Sequence, residues 1–326
     1  MSRDRLLAAL AGGMADRPPV ALWRHFPEQD QTAGGLAAAT VQWQRDFPGD
    51  VVKLMPPGDY PTIDWGLRSV YDGAPGGTRR PLDHPVTKAA DWERLPGLDV
   101  RDGFNGEMLK AVALARRDLP AEVPLLQTVF SPLTIAAKLS GDRVVAHLGD
   151  APAAVHAGLR RITEVTRAFA AASLAAGADG VFFATQLADR TRLDDGAYRE
   201  FGVPYDLQVL DTLPPATPLV LHVHGETPML DLSGRYPSGA LSWHDRRTGP
   251  TLQEVARAHG RPVCGGIDEA AITSATPDEA AAQAIDAVRQ LDGQGVIVAP
   301  GCVIPVATPA ASIRAVLAAV QSSSLA

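Results

Sequence analysis

In the stretch Leu174-Ala175-Ala176-Gly177-Ala178-Asp179-Gly180-Val181-Phe182-Phe183-Ala184-Thr185, a long helix gives way to a buried strand. The helical pattern over Ala151–Ala176 is Ala-rich, and Gly177 offers it a C-cap. Asp179-Gly180 then turns the chain into an apolar run without alternation. Such a run suits a parallel strand covered on both faces. Short runs of this kind, bounded by Gly, Pro or Asp, recur at Pro19–Trp23, Val51–Met55, Leu125–Val129, Gly180–Ala184, Leu219–His224, Ala240–Trp243, Pro262–Gly266 and Val296–Ala299.

Helical patterns lie between the runs, over Thr32–Arg45, Gly106–Arg117, Gly196–Leu213, Thr251–His259 and Thr276–Leu291. Thr276-Pro277 and Thr308-Pro309 each read as an N-cap followed by Pro at N1, with the last helix ending near Val320. Strands alternating with helices in this number predict an α/β fold, a (β/α)8 TIM barrel, as a single domain over 1–326. The N-terminus reads as a helical cap on the barrel. The segment from about Pro56 to Val123 shows turn signals and no clear strand, and reads as a long insertion after the second strand that forms a lid or substrate wall. The Ser-rich tail Gln321–Ala326 reads as frayed.

Composition narrows the function classes. The chain has 326 residues, 46% hydrophobic and 21% charged, an ordinary globular mixture that excludes disorder or collagen as a description of the whole. Thirty Lys+Arg against 37 Asp+Glu give a net charge of −7, without the basic footprint of a nucleic-acid binder. Two cysteines, Cys264 and Cys302, rule out a disulfide scaffold and fit a reducing cytoplasm. Arg3, Asp4 and Arg5 interrupt the N-terminal segment, which reads as a surface helix rather than a signal peptide. No stretch is long and apolar enough for a transmembrane helix. The expectation is a cytoplasmic protein acting on a small molecule, with no nucleic acid and no membrane as partner.

Catalytic groups of such a barrel come from the C-terminal ends of its strands. His222-Val223-His224 stands out there, because residues i and i+2 of a strand project to one face. Cys302, in a Pro-Gly turn after the last run, falls at the same end. Two nitrogens and a thiolate form a sound zinc set with one position open. Cys264, inside a strand, reads as core. Arg24 and His25 follow the first strand and would clamp an anion or donate a proton. Asp59 and Tyr60 follow a Pro-Pro-Gly turn, and Gln127 and Gln186 are neutral groups able to orient substrate. Glu226, His244 and Asp245 lie at strand ends, as does Asp268-Glu269, and such groups either orient a metal-bound His or cap a helix. His84, His147, His156 and His259 read as surface. No phosphate-binding glycine loop and no GxSxG elbow is present.

The chain resembles the uroporphyrinogen decarboxylase superfamily along essentially its whole length. The resemblance rests on Arg17-Pro18-Pro19-Val20 with Arg24, Asp50-Val51-Val52-Lys53, Phe130-Ser131-Pro132-Leu133-Thr134, Gly177-Ala178-Asp179-Gly180, Leu221-His222-Val223-His224-Gly225, and Gly301-Cys302-Val303-Ile304-Pro305 with Thr308-Pro309. The superfamily covers decarboxylases and zinc methyltransferases that demethylate corrinoid proteins onto a thiol. Of the decarboxylases' two substrate-binding arginines after strand one, only the first is matched, by Arg24. Their tyrosine falls near Ala137, and their last histidine falls on Cys302. The methyltransferase branch carries His-x-Cys and a later Cys as zinc ligands, which places His222, His224 and Cys302 as the metal set, with His224 in place of the middle Cys. One thiolate with two imidazoles leaves a zinc centre at net +1 where two thiolates would neutralise it, which shifts its chemistry towards Lewis acidity.

The resemblance therefore implies a zinc-dependent methyltransferase-like enzyme that activates a small thiol or related acceptor. A corrinoid protein would be its methyl donor and a homodimer its assembly. Arg24 would hold an anionic tail and Glu226 or Asp245 would support the ligands. The competing reading is a zinc lyase or decarboxylase of a small carboxylated molecule, with His25, Asp59 or Tyr60 moving the proton. A binding protein that has lost the chemistry is the third.

Overall fold

The computed structural model describes residues Met1–Ser323. Seven parallel strands form one sheet: β1 (Val52–Leu54), β2 (Leu125–Phe130), β3 (Gly180–Thr185), β4 (Leu219–Val223), β5 (Ala240–Ser242), β6 (Val263–Ile267) and β7 (Val296–Pro300), each hydrogen-bonded to the next in chain order. Six of the seven strands are buried throughout, and β1 is broken only by half-buried Lys53, as continuous apolar runs require. The architecture is α/β, with a curled parallel sheet of barrel type.

The first apolar run is not a strand of this sheet. Pro19–Trp23 contributes one parallel bridge, Val20 to Val298 of β7. The Val20 carbonyl also accepts from Asp50 N, just ahead of β1. The run thus lies between the two edge strands without forming a full ladder. Two prolines, Pro18 and Pro19, remove the donors that a longer pairing would need. Asp50 holds this junction: its carboxylate accepts from Val20 N, Arg17 and Arg5.

Most predicted helices stand close to their expected bounds, at Ala33–Asp46, Gly103–Asp118, Pro152–Ala175, Leu252–His259, Pro277–Arg289 and Ala310–Gln321. Gly177 takes φ +112° just past the helix that opened the sequence reading, where an L side chain would be strained. Thr276 caps its helix with a reciprocal Glu279 contact. The last helix departs from expectation: Pro309 is its N-cap residue, and the Thr308 hydroxyl donates to the Pro305 carbonyl instead. The predicted Gly196–Leu213 helix is two helices, Asp195–Phe201 and Val203–Leu210, broken at Gly202 ahead of Pro204. Two helices, Pro132–Ser140 and Arg143–Asp150, were not anticipated; Ser131 caps the first with Pro132 behind it.

The Pro56–Val123 segment is richer than a bare loop. It holds a helical turn at Tyr60–Ile63, a two-residue antiparallel ribbon pairing Ser69–Val70 with Arg80–Pro81, and a 3-10 helix at Ala89–Arg94. The N-terminal helix Ser2–Leu10 leads to Gly13, whose carbonyl accepts from Gly295 N ahead of β7, at the end of the strands opposite the histidines. Of the tail expected to fray, Gln321 is still helical and 324–326 lie outside the described residues. No helix among the described residues is long and apolar enough to cross a membrane.

Candidate metal centre

Strand alternation puts His222, in β4, and His224, just past its end, on one face. The register does more, because β4 pairs with β5 so that His222 stands opposite Ser242. Two residues further along each strand, His224 therefore meets His244. His222 Nδ1 contacts Ser242 Oγ at 3.2 Å, and His244 Nε2 lies 3.0 Å from His224 Nδ1. Cys302 Sγ is 3.8 Å from the same His224 nitrogen. One donor atom from each of His222, His224, His244 and Cys302 lies within 4.8 Å of the other three.

The turn that delivers Cys302 depends on Gly301. A Cβ there would fall 2.8 Å from the Trp243 carbonyl and 3.0 Å from His244 Cα, so only glycine lets the end of β7 pass this close to the end of β5.

These residues fit a divalent metal. His222 Nε2 is buried without a partner while its Nδ1 is held by Ser242. His244 Nδ1 is held by Glu269 Oε1 at 2.5 Å, which directs its Nε2 into the cluster. A ring nitrogen tied to the protein, with the other presented to a common point, is how metal-binding histidines are oriented. Burial lowers the pKa of His222 and brings His224 to about 4, with the neighbouring imidazoles adding to the effect. Both are therefore neutral, the ligating form. Burial raises the Cys302 thiol, which disfavours a free thiolate there in the absence of a cation. Three imidazoles and one sulfur suit zinc.

The structure thus brings His222, His224 and Cys302 together and adds His244, which the sequence places at a strand end as a substrate contact or a group orienting a metal-bound His, not as a ligand. The carboxylate behind the cluster is Glu269. Glu226 is exposed, with its backbone N–H bound to Asp189, and Asp245 instead accepts from Gly266 N. Burial pushes Asp245 up to about 6. Asp268 caps the backbone of Ala270 and Ala271. Cys264 is buried in β6, as expected of core.

Arg24 departs most from expectation. Its guanidinium stacks over Phe26 and Trp43, at 5.5 and 5.1 Å from the ring centroids, and donates to the Val306 carbonyl. Tyr60 is buried with its hydroxyl donating to the Thr128 carbonyl, and burial raises its pKa. Both groups thus have protein partners, with Arg24 Nε alone left buried without one. His25 is buried with Nδ1 unpartnered; burial and the charges of Lys53, Lys138 and Arg79 bring it to about 3. Gln127 is buried with Oε1 unpartnered.

A cavity of about 280 Å3 opens beside the cluster, lined by Asp59, Arg79, His84, Lys138, Gln186 and Arg192 among others. Gln186, in its lining, follows Thr185, whose carbonyl accepts from His224 N, so the cavity adjoins the strand end that carries the cluster. His84, expected on the surface, lines this cavity. Lys53, which the sequence offers only as part of a motif, extends from β1 to place Nζ 3.5 Å from the Phe182 ring centroid, and burial lowers it to about 8. A larger recess of about 560 Å3 lies at the opposite end of the strands, between Gly12, Gly239, Gly260 and Gly295. Its Arg261 is already bound to the Ser233, Gly239 and Pro237 carbonyls. At the histidine end, by contrast, His222 Nε2, His25 Nδ1 and both Asp59 carboxylate oxygens are buried without partners.

A fold of this type with a histidine-cysteine cluster at its strand ends is that of a family of enzymes. The uroporphyrinogen decarboxylase (URO-D) model matches residues 1–323, and the chain belongs to that family. A uroporphyrinogen decarboxylase of Alkalilimnicola ehrlichii is 32% identical over 65% of this chain and 63% of its own, so the match spans just under two thirds of that relative. A methylcobamide:CoM methyltransferase of Methanosarcina acetivorans is 24% identical over 72% of this chain and 68% of its own. A solved methyltransferase from Methanosarcina mazei superposes with a TM-score of 0.86 at 20% identity, covering 98% of both chains, a likeness of fold. The superfamily thus holds both methyltransferases and decarboxylases.

Proposed function

We propose that this chain is a single-domain, closed (β/α)8-barrel methyltransferase that binds zinc through His222, His224 and Cys302, with His244 as a fourth donor, and acts on a small thiol or related acceptor. The observation that carries the reading is the convergence of three imidazoles and one sulfur within 4.8 Å, with His222 Nε2 buried and unpartnered. Zinc held there would lower the pKa of a bound thiol from about 8.5, so that it is ionised at neutral pH.

The chain's own residues do the rest. Ser242 and Glu269 fix the rings of His222 and His244. Asp59, Gln186 and Lys138 offer polar contacts in the cavity beside the cluster. His222, His224, His244 and Cys302 would hold the metal, and the acceptor would bind at the same centre. The methyl donor in this reading is a methylated corrinoid protein, as the name of the methylcobamide relative suggests.

Metal analysis of the purified protein beside His224→Ala and Cys302→Ala tests the site, with one zinc per chain expected and loss in both variants. Methylcobalamin with a panel of thiols should give methylated thiol. Zinc-free protein, or no transfer to any thiol, would overturn the proposal. A second reading is a zinc lyase or decarboxylase of a small carboxylated substrate. It is favoured by the single sulfur among three imidazoles, and by His25 Nδ1 and both Asp59 oxygens standing unpartnered as proton carriers. Release of CO2 without any methyl donor would establish it.

A further inference from the structure

The charges around the 280 Å3 cavity do not all cancel. Arg79 is paired with Asp30 at 3.0 Å, and Arg192 with Asp142 at 2.8 Å. Arg79 keeps a buried Nε without a partner, but its charge is met by Asp30; the acid and the ammonium of the lining left without an ion pair are Asp59 and Lys138. Asp59 is 8% exposed, and neither of its carboxylate oxygens has a hydrogen-bond partner. The Lys138 ammonium, 4.9 Å from the Phe130 ring centroid, has no carboxylate within ion-pairing distance and no hydrogen-bond acceptor among the described residues. Both line the same cavity, and Asp59, having no hydrogen-bond partner, does not touch Lys138.

A buried carboxylate without a partner, such as Asp59, is costly, and a ligand that supplies the partner recovers that cost, while the half-buried Lys138 ammonium stands ready for a second group of the same ligand. A purely anionic ligand would satisfy Lys138 and leave Asp59 facing a like charge. A purely cationic one would do the reverse. We infer that the acceptor is a zwitterion, an α-amino-acid thiol whose ammonium donates to Asp59 and whose carboxylate accepts from Lys138. The inference rests on the thiol reading of the neighbouring metal centre for its sulfur, but not for its two charges. A cavity of about 280 Å3 is slightly below the roughly 300–1,000 Å3 of sites for drug-sized ligands, which suits a molecule of amino-acid size. His84 Nδ1 lies 3.1 Å from the Lys138 carbonyl, and Gly141 packs where a Cβ would fall 2.6 Å from His84 Nε2, so the base of Lys138 is fixed in place.

The test separates the charges from the sulfur. Calorimetric titration of the full-length protein, metal-free and zinc-loaded, uses L-2-aminobutyrate, butanoate and propylamine, which lack sulfur. The zwitterion should bind roughly ten- to a hundredfold more tightly than either single-charge analogue, as expected for hydrogen bonds to buried charges. Asp59→Asn should erase its advantage over butanoate, and Lys138→Gln its advantage over propylamine. If a variant does not fold, the three probes on the wild-type protein still decide. Butanoate binding as tightly as aminobutyrate, or no probe binding, overturns the inference. Cobalt-substituted protein then reports the thiol through its sulfur-to-metal absorption band. A band appearing equally with homocysteine and 3-mercaptopropionate removes the zwitterion and keeps the thiol reading. Zwitterion selectivity without any such band removes the thiol reading and keeps the zwitterion.

Discussion

His244 Nδ1 and Glu269 Oε1 lie 2.5 Å apart, both side chains buried at the ends of neighbouring strands. The pair orients His244 so that its other nitrogen faces His224. Burial alone would raise the Glu269 carboxyl, but the bonds from His244 and Arg247 outweigh it and hold the group below its ordinary range, an anion at neutral pH. Glu269→Gln should leave the fold intact and weaken metal binding about ten- to a hundredfold. Competition with a chromogenic chelator measures this; unchanged affinity would mean that His244 is not a ligand held in this way.

Arg24 tests the difference between a binding group and a packing group. Its guanidinium packs on two aromatic faces and donates to a backbone carbonyl, with Nε left without a partner. Arg24→Met should therefore cost about 1–2 kcal/mol of stability and leave KM for the acceptor within about twofold. A KM increase of about tenfold with unchanged melting would return Arg24 to the substrate site.

Asp50 joins the first segment of the chain to the sheet. It accepts from Arg17 at 2.6 Å, from Arg5 at 2.9 Å and from Val20 N at 3.0 Å, while 2% exposed. Asp50→Ala leaves Arg17 without its carboxylate and the Val20 N–H without its acceptor, while Arg5 keeps Asp16, and should destabilise the protein by about 3–5 kcal/mol. Denaturant titration would show it; a loss under about 1 kcal/mol would mean that the closure at Val20 is held elsewhere.

Asp206 lies away from the metal centre, buried, with Oδ2 accepting from the hydroxyls of Tyr198 and Tyr236, each at 2.7 Å. Burial dominates and pushes its carboxyl up to about 7 from 3.8. A folded-state pKa above the unfolded one contributes stability that is complete below the unfolded value and lost as pH rises through the folded one. The wild-type protein should therefore lose this group's contribution between about pH 4 and 7. Asp206→Asn keeps an acceptor for the tyrosines but has no proton to lose. The melting temperature of the variant relative to wild type should rise across that interval; a constant difference would show that Asp206 titrates normally.

Periodicity and capping made most of the architecture legible, because strand and helix patterns are local. The boundary at Gly177 and the cap at Thr276 needed only neighbouring residues. The first run misled for the opposite reason: an apolar segment pairs only as far as its partners' donors allow, and the prolines beside Val20 are matched to Val298, nearly the whole chain away. Arg24 misled as well, since nothing in Trp23-Arg24-His25 tells which way the guanidinium turns; Trp43, on a later helix, settles it.

For the candidate site, the sequence by itself determined that His222 and His224 share a face, since alternation along a strand is intrinsic to the backbone. It also placed Cys302 at the same end. Only the tertiary structure decided that His244 joins them and that Glu269 stands behind it. The pairing of His222 with Ser242 is a matter of register between two strands, and register is set by how the whole sheet packs.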